Sequence, residues 1–208
     1  MIVYFVRHGE SLGNISSIHQ PQDCELSDEG LRQADQLALR FQDISVDAII
    51  SSPIMRTKQT AAAIAAVTKV PIEWEPRIEE IRRPSLLVGK KTNSPEATKV
   101  WKQVFAHADD PNYHYADEEN FFDVQKRIAS FLADLPKRHE ANLVVVSHGH
   151  ALRLLFGLML FGDTFTQQQF RLMIDHIKIS NTGVTVCEYE DSGSWRILTL
   201  NDYAHLLE

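Results

Sequence analysis

Three apolar runs in this sequence end in side chains capable of chemistry. Ile2 to Val6 leads into Arg7-His8-Gly9-Glu10, and Asp47 to Ser51 ends in Ser51-Ser52-Pro53 with Arg56 one helical turn on. Leu143 to Val146 leads into Ser147-His148-Gly149. Runs without polar alternation suit strands covered on both faces, as in a parallel sheet. In an open α/β sheet the functional crevice lies beyond the carboxyl ends of the strands, so topology alone brings two imidazoles and two guanidiniums together. Two permanent positive charges oppose a divalent metal. A tetrahedral dianion is what guanidinium forks and imidazole bind through charge-assisted hydrogen bonds, and helix N-termini following the strands would add donors.

A histidine beside a bound phosphate can act as a nucleophile, because neutral imidazole keeps a lone pair at physiological pH and forms a labile P–N bond. The second histidine and the arginines would then stabilise charge on the equatorial oxygens as the phosphoryl group passes in line. The leaving alkoxide needs an acid. Glu79 and Glu80, just past a short strand at Val70 to Trp74, are the best-placed carboxylates; burial and a nearby phosphate both raise a carboxyl pKa toward neutrality.

The elements that position these groups alternate β and α. Ser27 can cap a helix with Leu31, Ala34, Leu37, Ala38 and Phe41 at helical spacing, and Pro53 suits the first turn of a helix that includes the alanine-rich stretch Thr60 to Val67. Ala151 to Leu160 is an apolar helix behind His148, and Gly183 to Tyr189 with Trp195 to Leu200 flank a turn at Asp191-Ser192-Gly193. From Arg82 to about Glu119 the rhythm breaks. That interval holds one helix, capped by Ser94 with Pro95 first and with Ala97, Val100, Trp101, Val104 and Phe105 as its stripe, among loops rich in Asp, Pro and Asn. We read it as a cap over the sheet's edge, with Phe121 to Leu135 as the helix returning to the main layer. The expectation is one domain over 1–208, a three-layer α/β/α sandwich with a mostly parallel sheet and a small cap at about 82–119.

Composition narrows the class. A chain of 208 residues with 44% hydrophobic and 24% charged residues is ordinary globular material for one core. The formal net charge of −7 argues against a general nucleic-acid footprint. No run reaches the roughly 20 apolar residues of a membrane span, the N-terminus has no basic region or h-region, and Cys24 and Cys187 form no metal or disulfide pattern. The expected setting is the cytoplasm.

At the level of motifs the chain resembles the histidine phosphatase superfamily, the phosphoglycerate mutase-like proteins. The resemblance is carried, in order, by VRHGES at Val6 to Ser11, LSDEGLRQA at Leu26 to Ala34, SSPIMRTKQTA at Ser51 to Ala61, RIEEI at Arg77 to Ile81, VVSHG at Val145 to Gly149 and NDYAHL at Asn201 to Leu206. It implies that His8 is the phosphorylated nucleophile, that Arg7 and Arg56 grip the phosphoryl oxygens, and that His148 completes the pocket. It further implies Glu80, directly before Ile81, as the proton donor, with Asn14 and Gly149 as further phosphate contacts, and neither metal nor organic cofactor.

Two stretches depart from the family pattern. IRRPSLLVGKK stands where a Trp-Glu-Gly stretch is usual, with Gly89 as the possible counterpart of its glycine, and Glu118-Glu119-Asn120 replaces a Gly-Glu-Ser. Both fall in the substrate-selecting region. Arg82, Arg83, Lys90 and Lys91 form a basic cluster that reads either as a solvated face or, through Arg83, as a second anion site. The acidic run Asp109 to Glu119 reads as solvated loop, and Trp101, Phe105, Phe121 and Phe122 as core. His19, His107, His114, His139, His176 and His205 read as surface or structural, and His150 as pointing away from the pocket. The functional expectation is a metal-independent phosphatase of small phosphorylated metabolites, binding no nucleic acid or membrane, with the oligomeric state left open. The rival readings are a phosphoglycerate mutase, separable by isomer interconversion against phosphate release, and a catalytically idle phosphate-binding module, whose signature would be loss of His8 or the acid.

Overall fold

The structure, a computed structural model, describes residues 1–206. Its strands are β1 (Ile2–Arg7), β2 (Ala48–Ser51), β3 (Ile72–Trp74), β4 (Asn142–Ser147), β5 (Val184–Tyr189) and β6 (Trp195–Asp202). They form one sheet in the order β3-β2-β4-β1-β5-β6. β3, β2, β4 and β1 run parallel, and β5 pairs antiparallel with β1 and with β6. The carboxyl ends of β1, β2 and β4 therefore share one edge, with Arg7 opposite Ser147 and Ser51 opposite Val146.

Successive strand residues point to opposite faces, and helices cover both. The helices are α1 (Leu12–Ser16), α2 (Asp28–Arg40), α3 (Met55–Thr68), α4 (Pro95–Ala106), α5 (Phe121–Asp134), α6 (Gly149–Phe161) and α7 (Gln167–His176). On one face Val6, Ile49, Val144 and Val146 pack with Leu37 of α2 and Ile64 of α3. On the other, Val3, Phe5, Ile50 and Val145 pack with Val124 and Ile128 of α5 and Leu152 and Leu155 of α6. This is the α/β/α sandwich, with its apolar strands shielded from water on both sides.

The segment 82–119 contributes little to either core. Leu87, Ala97 and Val100 form a small cluster of their own, joined by Trp101 and Val104. Its base is closed by the Glu119 N–H donating to the Arg82 carbonyl (3.0 Å), and its outer part is laced to the loop after α1 by Gly89 N–H to His19 O (2.8 Å) and Thr92 N–H to Ser17 O (3.0 Å).

Several local expectations are corrected. Leu31 is exposed, because the inward place on that turn of α2 goes to Gly30. Pro53 precedes the Ile54 cap of α3 rather than opening the helix. Glu118 is 3% exposed, since its carboxylate accepts the Tyr115 and Ala116 backbone N–H groups instead of facing water. Helices α1 and α7 had no counterpart in the sequence reading; α1 is too short for a periodicity, while α7 is opened by a Thr166/Gln169 capping box that a pattern search could have found. In place of the usual serine, Asn120 caps α5 through a capping box with Asp123.

Candidate active site

Gly9 and Gly30 fix the turn that presents His8. A Cβ on Gly9 would sit 2.5 Å from the Gly30 carbonyl oxygen, and one on Gly30 would sit 1.9 Å from that of Glu10. The loop after β1 thus lies backbone to backbone on the first turn of α2, where Ser27 caps the helix through the Gly30 N–H and donates to the Glu10 carboxylate. His8 is buried there. Its Nδ1 is 2.7 Å from the Gly9 carbonyl oxygen, which can only accept, so Nδ1 carries the proton and Nε2 holds the lone pair. Burial first, then the charges of Arg56 and Arg7 around the ring, hold His8 well below its ordinary pKa and keep it neutral.

His148 lies against it, with ring centroids 5.2 Å apart. It is 0% exposed, buried beside the His8 ring. Its Nε2 is 2.9 Å from Ser52 Oγ, while Nδ1 is buried without a protein partner. Burial, then Arg56, depresses its pKa strongly. Arg7 donates from NH1 to the Ile179 carbonyl (2.6 Å), and Arg56 from NH1 to that of Pro21 (3.4 Å). The Nε atoms of both are buried without partners. Burial pulls Arg7 down to about 10 and lowers Arg56, and both remain cations at neutral pH. Neither forms an ion pair among the described residues. Two desolvated guanidiniums beside neutral imidazoles make a strong site for an oxyanion.

Asn14 is the third residue of α1, where its side-chain oxygen accepts from the Ser11 N–H (3.0 Å) in a capping box, and it lines the cavity next to His8. Gly149 opens α6 close to Arg7, whose Nε would be 3.5 Å from a Cβ there. Glu80 takes two of the N–H donors of the α6 N-terminus. Glu80 Oε2 accepts from the His150 N–H (3.2 Å) and Oε1 from those of Ala151 (3.1 Å) and Ile81 (3.0 Å). Burial pushes the Glu80 carboxyl up, but His150, His148 and Arg83 outweigh it and hold the group well below the usual carboxylate range. Glu79 differs: burial raises it, and its charged neighbours are Arg127, Glu119 and Arg82. Both carboxylates line the cavity.

Arg127 of α5, which carries no motif signal, fixes this acidic turn. It donates to the carbonyls of Arg77 (2.7 Å) and Glu79 (2.9 Å) and pairs with Glu119 (2.7 Å). Asn181, also missed, donates to the His8 carbonyl (2.9 Å). Only a contact map reveals such residues, since they act through main-chain oxygens.

The cavity is about 1370 Å³. It reaches from His8 across to α4 and α7, and its walls correct three expectations. His150 faces inward, its Nδ1 3.4 Å from Glu80 Oε2. His19 is buried on the wall beside Trp101; Trp101 packs on the small cluster of the segment and also faces the cavity, and Phe105 faces the cavity too. Of the basic cluster, Arg82 and Arg83 line the cavity, while Lys90 pairs with Glu96 (2.5 Å) and Lys91 donates to the Ser16 carbonyl (2.7 Å). Among the described residues no three His, Cys, Asp or Glu side chains gather as metal ligands, and no helix is long and apolar enough to cross a membrane.

Comparison with known proteins gives this geometry a family. The chain is 28% identical to a protein of Proteus mirabilis named "Probable phosphoglycerate mutase GpmB" over 99% of this chain and 95% of that one. Its fold matches Bacillus stearothermophilus YhfR with a TM-score of 0.82 at 24% identity, covering 99% and 98% of the two chains. It also matches the phosphoserine phosphatase of Entamoeba histolytica, solved with phosphoserine, with a TM-score of 0.79 at 24% identity over 99% of each chain. Residues 3–203 match the family described as Histidine phosphatase superfamily (branch 1), and the chain belongs to that superfamily.

Proposed function

We propose that this protein is a metal-independent phosphatase that hydrolyses small phosphate monoesters through a phosphohistidine on His8. The observation that carries the reading is the state of the His8 ring, with Nδ1–H held by the Gly9 carbonyl and an unprotonated Nε2 near Arg7, Arg56 and His148. In the first step Nε2 attacks phosphorus as the P–O bond to the leaving group breaks, and Glu80, protonated, gives its proton to the departing oxygen. Arg7, Arg56 and the Nδ1 side of His148 hold the equatorial oxygens, with Asn14 and Gly149 as further contacts. In the second step a water gives its proton to Glu80 and attacks phosphorus, the P–N bond breaks, and phosphate leaves. Segment 82–119 serves as the cap, and Arg83 contacts the rest of the ester.

Phosphate release over a panel of monoesters in excess chelator tests this, with His8→Ala as control. The expected result is turnover without added metal, and loss in His8→Ala of both turnover and an acid-labile, base-stable phosphoenzyme. Turnover that persists in His8→Ala would remove His8 from the reaction.

A mutase reading is favoured by one observation, the GpmB name of relatives aligned over nearly the whole chain. There the phosphohistidine would return its group to a sugar acid. With 3-phosphoglycerate, isomer formation faster than phosphate release would favour that reading over ours.

A further inference from the structure

The cavity is larger than a small ester needs. At about 1370 Å³ it exceeds the roughly 300–1,000 Å³ of pockets that enclose drug-sized ligands, so a three-carbon leaving group would leave much of it to water. The wall across from His8 is aromatic and cationic. Trp101 and Phe105 of α4 lie with ring centroids 6.0 Å apart and planes 28° apart, and Phe105 is 50% exposed. The Arg83 guanidinium sits 5.1 Å over the Trp101 ring, and that of Arg171, from α7, 4.2 Å over Phe105.

Neither arginine pairs with a carboxylate among the described residues, and neither does the neighbouring Lys102. This is a local excess of positive charge in a chain of net charge −7. A guanidinium held over a ring still has N–H groups free for hydrogen bonds to an anion, and the ring beside it offers an apolar face to a planar group.

We propose that the ester's leaving group carries a planar aromatic ring and a second negative charge, the ring packing along Trp101 and Phe105 and the charge meeting Arg83, Arg171 and Lys102. The inference rests on the phosphatase reading for the reacting end of the ligand.

Three alkyl esters whose leaving alcohols need the same proton donation test it: propyl phosphate, 2-(1-naphthyl)ethyl phosphate, and the latter with a sulfonate on its far ring. We expect kcat/KM to rise about tenfold with the ring and about fivefold more with the sulfonate. Trp101→Ala should erase most of the ring's gain, and Arg171→Ala that of the sulfonate alone. Thermal midpoints establish that each variant folds, and Trp101→Leu replaces the alanine variant if it does not. Equal kcat/KM for the three esters, or equal losses on all three in the variants, would overturn the proposal. If no ester releases phosphate, the phosphatase reading falls by itself, and calorimetric binding of the matching phosphonates decides this one. The same affinity order sustains it and equal affinities sink it.

Discussion

In the proposed reaction Glu80 has to be an acid in a site that holds it ionised. Backbone N–H donors at both oxygens and the nearby cations keep its pKa low, so the proton has to come with the ligand. A phosphate dianion among Arg7, Arg56 and His148 cancels the charges that stabilise the carboxylate and pushes its pKa up. Glu79 lies among Arg127, Glu119 and Arg82 and lacks that link. Glu80→Gln should therefore slow alkyl esters by about 10²- to 10⁴-fold and p-nitrophenyl phosphate much less, while Glu79→Gln should show no leaving-group dependence. Equal losses on both ester types for Glu80→Gln would exclude it as the acid. The two buried histidines make a second prediction. His8 and His148, both held far below their ordinary 6.5, bind fewer protons folded than unfolded once the pH drops under that value. Stability is thus fully present above 6.5 and declines on acidification by up to about 1.4 kcal/mol per pH unit for each ring. Glu80, depressed from 4.5, adds its own loss only below that pH. Urea midpoints at about pH 7.5 and about pH 5.5 should show the decline, and His148→Gln should flatten it; an unchanged slope in that variant would contradict the assignment.

At the scale of elements, the site depends on loops pressed against helix ends. The turn carrying His8 has no room over the start of α2, because the Gly30 position faces the Glu10 carbonyl oxygen. Backbone cannot swing aside as a flexible side chain can, so Gly30→Ala should cost about 3 kcal/mol, near the upper end for overpacking, and displace His8. Denaturant unfolding together with turnover measures both effects; a loss below about 0.5 kcal/mol, the size of an ordinary surface change, would mean that the loop yields freely. A comparable dependence joins α5 to the acidic turn through Arg127. Thus a helix on one face of the sheet sets the position of a carboxylate at its edge.

For the molecule as a whole, an oxyanion should be a structural ligand as well as a reactant. Half-buried Arg7 and buried Arg56 form no ion pair with a carboxylate among the described residues, and poorly compensated charge away from water is costly. Inorganic phosphate or vanadate binding only the folded state should stabilise it by about 2.7 kcal/mol at 100 times Kd. Scanning calorimetry should show the melting temperature rising with phosphate concentration in the native protein and staying flat in Arg56→Ala. A flat response in the native protein would place the anion elsewhere.

Much of this molecule is written locally. Apolar strands ending in Arg7-His8, Ser51-Ser52 and Ser147-His148 determine a parallel arrangement and a shared edge, because unalternating strands need cover on both faces and parallel strands align their ends. The proposed anion chemistry is also read from the charges of those residues. The break in β/α rhythm between Arg82 and Glu119 coincides with a segment that has its own small apolar cluster. Tertiary structure decided what depends on distance across the chain. That Glu80 takes α6 donors, that His150 faces inward and His148 meets Ser52, that Arg127 and Asn181 hold main-chain oxygens, and that Trp101 and Phe105 face a cavity all arise from contacts between elements. Periodicity reports which side of a helix is apolar; only packing determines whether that side meets a core or a ligand.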